Sequence, residues 1–299
     1  KSPPIFILRA MKLKKKAVLP SYTSVFGKTL AQLGAQDNRI VGITAAMGKG
    51  TGINIFQEQF PDRTIDVGIA EEHAVTMAAA MALDGYKPVV AIYSTFLQRA
   101  YDQVMHDVAL QNAPVVFCLD RAGLVGDDGP THHGIFDISY LRHIPNMVCM
   151  APKDENELRH MLYSALSYDC PVAVRYPRGE GLGVPMDEAL QILPLGKAEV
   201  LQEGSRITLL ALGSMVHIAQ EAAARISEET GITPTVINAR FAKPLDAETI
   251  LRYAAQDTLL VTLEEHAVTG GFGSAVLELF NQHGMDTRKV LTIGIADSF

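Results

Sequence analysis

Short runs of consecutive apolar residues alternate along the chain with longer stretches in which apolar positions recur every three or four residues. Arg39–Ala45, Pro88–Tyr93, Pro114–Leu119, Met147–Met150 and Val172–Arg175 are of the first kind. They lack in–out alternation, which predicts strands buried on both faces, as in a parallel sheet between helical layers. Thr95–Gln111 and Asp154–Tyr168 are of the second kind, and Asp154 with Glu157 three residues on is a helix-start signal. Glu71–Leu83 is almost wholly apolar after its first turn and is closed by Gly85, which predicts a buried helix. Arg178–Leu195 carries glycines and prolines without periodicity and interrupts the series. A second series follows, with strands predicted at Ile207–Leu212, Pro234–Asn238, Thr258–Leu263 and Val290–Ile293. Its helices are predicted at Ser214–Thr230, Asp246–Ala255 and Gly271–His283. The expected fold is α/β, two doubly wound domains with mostly parallel sheets and helices on both faces. The expected division is an arm or linker over 1–19, a first domain over 20–180, a linker over 181–195 and a second domain over 196–299 that stops abruptly after a strand.

Charge narrows the function. Lys and Arg number 26 against 33 Asp and Glu, a net charge of −7, so no broad cationic face for nucleic acid or a membrane surface can be assembled. No apolar run approaches the ~20 residues of a membrane helix, and the apolar stretch Ile5–Leu8 in the head is too short for a signal peptide. A soluble, intracellular chain is expected. Cys118, Cys149 and Cys170 have no paired spacing and read as reduced core thiols. His132–His133 lacks companion ligands at fixed spacing, so no metal site is expected.

Three glycine-rich stretches invite a phosphate-binding reading. Gly42, Gly48-Lys49-Gly50 has the wrong spacing for a phosphate loop. Gly271-Phe272-Gly273 lacks the third glycine of the dinucleotide fingerprint and reads as a tight strand-to-helix turn. Gly126-Asp127-Asp128-Gly129 resembles a magnesium-diphosphate element, but Asp128 replaces its second glycine and the segment runs on into a loop.

The predicted strand ends are richer in chemistry. Glu71 and Glu72 lie in the first turn of an apolar helix, where the helix dipole favours an anion whether or not it has a further role. Tyr93, Phe96 and Arg99 follow one strand; Arg121, Asp128 and His132 follow the next; Tyr176 and Arg178 follow another. Ligands in open α/β sheets bind at such carboxyl ends. Arginine presents a fork of donors matched to phosphate, so Arg121 and Arg178 point to an anionic, phosphorylated substrate.

Ile69–Val75 (IAEEHAV), Ala91–Gln103 (AIYSTFLQRAYDQ), Asp120–Gly126 (DRAGLVG), Asp128–Gly134 (DGPTHHG) and Val174–Gly179 (VRYPRG) closely resemble the 1-deoxy-D-xylulose-5-phosphate synthase family. These are thiamine-diphosphate enzymes of the transketolase class. The resemblance runs from about Pro20 to Phe299, over the pyrimidine-binding domain and most of the C-terminal domain. It implies that Glu71 contacts the ring nitrogen of the cofactor's aminopyrimidine and activates the cofactor, with Phe96 packed on the ring. It implies that Tyr93, Arg121 and Arg178 contact the substrate and the acceptor phosphate. Arg99, Asp128 and His132 are implied as polar active-site groups, His132 for proton handling, while Glu72 is the less favoured carboxylate. The implied reaction condenses pyruvate with glyceraldehyde 3-phosphate and releases carbon dioxide, in a homodimer in the bacterial cytoplasm or a plastid. Mg2+ and diphosphate would be held by the family's N-terminal domain, in the same or a companion chain; these 299 residues alone are expected to be inactive. The beta subunit of a 2-oxo-acid dehydrogenase is the competing enzyme reading, and a non-catalytic association module is the competing reading of another class.

Overall fold

A computed structural model describes residues 19–256 and 259–299. The expected arm 1–19, apart from Leu19, and the first residue of the strand expected at Thr258 lie outside the described residues. The first half of the chain runs α1 (Tyr22–Gln36), β1 (Ile40–Thr44), α2 (Gly48–Thr51), α3 (Ile53–Gln59), β2 (Thr64–Asp66), α4 (Glu71–Leu83), β3 (Lys87–Tyr93), α5 (Ser94–Leu97), α6 (Tyr101–Gln103), β4 (Val116–Asp120), α7 (Asp137–Arg142), β5 (Val148–Met150), α8 (Glu155–Ala165) and β6 (Val172–Arg175). The second runs β7 (Glu199–Gln202), β8 (Ile207–Ala211), α9 (Met215–Thr230), β9 (Thr235–Asn238), β10 (Phe241–Lys243), α10 (Ala247–Ala254), β11 (Leu259–Ala267), α11 (Phe272–Gln282) and β12 (Val290–Ile295).

Two sheets result, ordered β10-β5-β6-β4-β3-β1-β2 and β12-β11-β8-β9-β7. Every pairing is parallel except β10 with β5 and β7 with β9. The central strands β1, β4 and β6 are buried at every position, which is why they read as unbroken apolar runs. The expected α8 start is present: Asp154 accepts the Glu157 N–H at 2.7 Å. β10 lies in the second half of the sequence yet closes the first sheet against β5.

Two expected elements differ. Thr95–Gln111 is not one helix but α5, a 3₁₀ turn, α6 and a π-helical stretch over Val104–Ala109. The widened turns let the consecutive Val108 and Ala109 both reach the core while Leu110 turns outward. Helix α4 buries only Glu71, Ala74, Val75, Ala78, Ala79 and Ala82, because the sheet covers one face; Ala80 and Leu83 are exposed. The buried helix expected from its apolarity is thus buried on one face.

The two sheets meet at a polar seam. Arg175 at the end of β6 pairs with buried Asp137 at 2.9 Å and donates to the Gly134 and Glu265 carbonyls. His266 on β11 is fully buried; its Nε2 accepts the Ser139 N–H and its Nδ1 lies 2.7 Å from the Ala267 carbonyl. Burial pushes its pKa down to about 4, against the pull of Asp137. Between pH 6.5, the histidine's ordinary value, and 4 the unfolded chain holds a proton that the native chain does not, so stability rises with pH through this window. Acidification through it is therefore expected to remove on the order of 3 kcal/mol. Urea unfolding midpoints of wild type and His266→Asn between these pH values check this. A curve of equal slope in both would refute it.

Candidate functional site

The carboxyl ends of β6, β4, β3 and β1, neighbours in the first sheet, deliver the expected residues to one rim. Register aligns Tyr93 of β3 with Asp120 of β4, and Leu119 of β4 with Arg175 of β6. Beyond β4 the chain turns sharply: Arg121 has φ 62°, an unusual conformation for a side chain of this size. That turn lays its guanidinium on the Tyr93 ring, 3.7 Å from the centroid. Tyr93 stacks on Phe96 at 5.8 Å, and the His132 ring meets Phe96 edge-on at 5.3 Å. Asp128 closes the set, 3.5 Å from Arg121 Nε and 3.2 Å from an Arg178 terminal nitrogen.

Tyr93, Phe96, Arg121, Asp128, His132 and Arg178 thus form one continuous cluster. Glu71 and Arg99 form a separate pair at 2.5 Å; no hydrogen bond or ion pair among the described residues joins it to the cluster. Glu71 is only 2% exposed although it is a carboxylate, and Arg99 on the outer side is half exposed. The helix start suits this placement, because the unsatisfied N–H groups of α4 favour an anion.

The polar loop after β4 is pinned at its base and turns at its tip through a 3₁₀ turn over Gly126–Asp128. Gly123 and Gly134 exchange backbone hydrogen bonds at 2.8 and 2.9 Å. His133 accepts the Val125 N–H through Nδ1, so it braces the loop. From the second sheet, Glu265 accepts the Leu124 N–H at 3.0 Å and the Ser214 hydroxyl at 2.7 Å. At the tip, Gly126 and Gly129 flank Asp127–Asp128 with positive φ and open space around them.

Sequence reasoning missed three participants. Gly50, set aside with the glycine-rich stretches, accepts an Arg121 N–H at its carbonyl at 2.7 Å. A Cβ there would lie 1.7 Å from the Tyr93 hydroxyl, so only glycine lets α2 approach. Asp120, buried completely, anchors Arg121 at 3.0 Å and accepts the Thr23 hydroxyl at 2.6 Å. Burial still raises its pKa to about 6. Its position as the last residue of a buried strand beside an arginine was the available signal; nothing in the sequence marked Thr23. At the other glycine-rich turn, Glu264 accepts the Phe272 and Gly273 N–H groups at 2.6 and 2.7 Å, so the protein's own carboxylate fills that helix start. Among the described residues no cluster of His, Cys, Asp and Glu could hold a metal ion. Cys118 and Cys149 are buried, Cys170 partly so, and none forms a disulfide.

Comparison with known proteins places this geometry in a lineage. Residues 19–182 match the family model "Transketolase, pyrimidine binding domain" and residues 196–298 match "Transketolase, C-terminal domain". A 1-deoxy-D-xylulose-5-phosphate synthase of Heliobacterium modesticaldum is 58% identical over 98% of this chain and 45% of that protein. One from Geobacter sulfurreducens is 60% identical over 93% of this chain and 44% of that protein. The chain therefore spans less than half the length of these relatives. Among solved structures, one titled "Split gene transketolase, inactive beta4 tetramer" superposes with a TM-score of 0.81 at 31% identity, covering 93% of this chain and 90% of that one. A transketolase from Campylobacter jejuni shares the fold, with a TM-score of 0.77 at 22% identity over 95% of this chain and 43% of that one. With a family model matched over more than half its length, the chain belongs to the transketolase family and carries that family's pyrimidine-binding and C-terminal domains.

Proposed function

We propose that this chain is the pyrimidine- and acceptor-binding half of a 1-deoxy-D-xylulose-5-phosphate synthase, which joins the two-carbon unit left by decarboxylation of pyruvate to glyceraldehyde 3-phosphate. The observation that carries the reading is the arginine pair. Arg121 and Arg178 converge at the ends of β4 and β6, and Arg121 Nε is buried with no hydrogen-bond partner. A buried N–H of this kind is costly unless a ligand satisfies it, and a phosphate offers the oxygens to do so. The relatives named for this synthase, at 58% and 60% identity, support the same assignment.

The residues also fit thiamine diphosphate. An aminopyrimidine needs a carboxylate for its ring nitrogen and an aromatic face to lie against, and Glu71 and Phe96 supply these groups. When bound, the cofactor supplies the electron sink for decarboxylation. Glu71 then holds a proton on the ring nitrogen. Arg121 and Arg178 orient the acceptor phosphate, and Tyr93 keeps Arg121 flat against its ring. His132, with Nδ1 3.0 Å from the Thr131 hydroxyl, has Nε2 for moving a proton at the acceptor carbonyl. Diphosphate and Mg2+ would be held by a further domain, in the same polypeptide or in a companion chain. A pyrimidine-binding domain over 20–180, a linker over 181–195 and a C-terminal domain over 196–299 belong to this reading, supported by the family matches over 19–182 and 196–298.

A homodimer is part of the reading. Ile69 just before α4, Leu83 at its end, Tyr86 just beyond it, and Leu110 directly after the π-helical stretch are large apolar side chains left at least 46% exposed. A cytoplasmic location is proposed as well; no described helix is long and apolar enough to cross a membrane. The deciding experiment supplies the chain with a relative's diphosphate-binding domain, thiamine diphosphate, Mg2+, pyruvate labelled with carbon-13 at C2, glyceraldehyde 3-phosphate and a lipoyl acceptor. Label in 1-deoxy-D-xylulose 5-phosphate is expected. Label transferred only to a lipoyl acceptor would instead make the chain a 2-oxo-acid dehydrogenase beta subunit.

A further inference from the structure

One carboxylate serves two guanidinium groups in the cluster. Asp128 Oδ1 lies 3.2 Å from Arg178 and Oδ2 lies 3.5 Å from Arg121 Nε. The second separation is too long for a good hydrogen bond, and Arg121 Nε indeed has no partner. The other contacts of these arginines are made by fixed groups: Gly50 and Asp120 on Arg121, the Val125 carbonyl on Arg178. Asp128 is the one group of the set carried on the tip of the loop, a 3₁₀ turn between Gly126 and Gly129, with open space where either glycine would carry a β-carbon. It is an anion seated between two cations, with a poor fit on one side.

We propose that Asp128 is a built-in competitor for the arginine pair, displaced by a phosphate dianion but not by a carboxylate, so that it sets which anion the pair admits. The inference rests on the proposed reading of the pair as the acceptor-phosphate site. A tethered group has an effective concentration on the order of millimolar. A carboxylate ligand would exchange one monoanion for another, and would have to exceed that local concentration to win. A phosphate brings a second negative charge and a third oxygen, enough to reach Arg121 Nε while holding Arg178. An enzyme that binds pyruvate beside a phosphorylated aldehyde gains by this filter, because the pyruvate carboxylate is kept off the acceptor site.

The test titrates the 299-residue chain with inorganic phosphate and, separately, with pyruvate, by calorimetry. Wild type, Asp128→Asn, Arg178→Ala and the double variant are compared. Asn keeps the shape of Asp and removes its charge. Asp128→Asn is expected to bind phosphate about tenfold tighter and to gain pyruvate binding that wild type lacks, with Arg178→Ala weakening phosphate in both backgrounds. If Arg178→Ala weakens phosphate but Asp128→Asn neither tightens it nor admits pyruvate, the competitor role is refuted and the phosphate site stands. If Arg178→Ala changes phosphate binding in neither background, the phosphate site and the competitor role both fall.

Discussion

Glu71→Gln is expected to lower product formation in the reconstituted enzyme by about 10²–10⁴-fold, the span typical of a lost proton-handling group. The substitution conserves shape and burial and removes only the charge. Its structural cost should be small, since among the described residues the side chain bonded to the carboxylate is Arg99, and Arg99 is 47% exposed and can turn to solvent. Removing a buried charge at a helix start costs dipole interaction but leaves no cavity. The loss should therefore appear in turnover, with the thermal midpoint shifted little. The measurement is a steady-state rate with saturating thiamine diphosphate and pyruvate, paired with thermal unfolding. Retention of more than a tenth of wild-type turnover by a folded Gln variant would remove Glu71 from the role proposed for it.

The second large effect is expected at Arg121. Arg121→Met keeps an unbranched stem over Tyr93 and removes the guanidinium, and with it the charge-assisted bonds to Gly50 and Asp120. KM for glyceraldehyde 3-phosphate should rise about 100-fold, with KM for pyruvate almost unchanged. Stability should fall as well, because Asp120 is wholly buried and would lose its cationic partner. That loss is expected to be pH-dependent. In wild type the Asp120 pKa is raised by burial to about 6, so between the ordinary carboxylate range and pH 6 the native chain keeps a proton that the unfolded chain has released. Stability falls as pH rises through that window. Without Arg121 the ionised form is less favourable still, and the fall should extend to higher pH. Unfolding free energies at pH 5 and pH 8 should differ more in Arg121→Met than in wild type, the variant losing on the order of 3 kcal/mol at the higher pH. Equal loss at both would mean that Asp120 is stabilised by Thr23 alone.

The strands carrying the rim were legible because both their faces are buried, so Val89–Ile92 and Val116–Leu119 show apolar runs without alternation. The ends of those runs were enough to place Tyr93, Arg121 and Arg178 at one edge. Partnerships were not legible. That Asp128 faces both arginines depends on a turn at Arg121 with positive φ and on two glycines that also take positive φ, none of which leaves a period in the sequence. Gly50 was passed over because its importance is spatial; it is a residue kept small by the hydroxyl of Tyr93, 43 positions away by their numbering. The partial exposure of α4 escaped for a related reason: alanine and methionine suit a core and an unpartnered face equally well, and sequence periodicity separates only polar from apolar.

The strand Phe241–Lys243 bears on how this protein can be divided. The family match for the pyrimidine-binding domain ends at residue 182, but the sheet of that domain is closed by a strand about sixty positions further on. An excised first domain would expose the backbone of Val148–Met150 along a bare edge, an invitation to pair with another molecule. The portable cassette is therefore the two domains together. Among the described residues the strands of both sheets find their partners within this pair, whereas a break at the glycine- and proline-rich junction would strip Val148–Met150 of its outer neighbour.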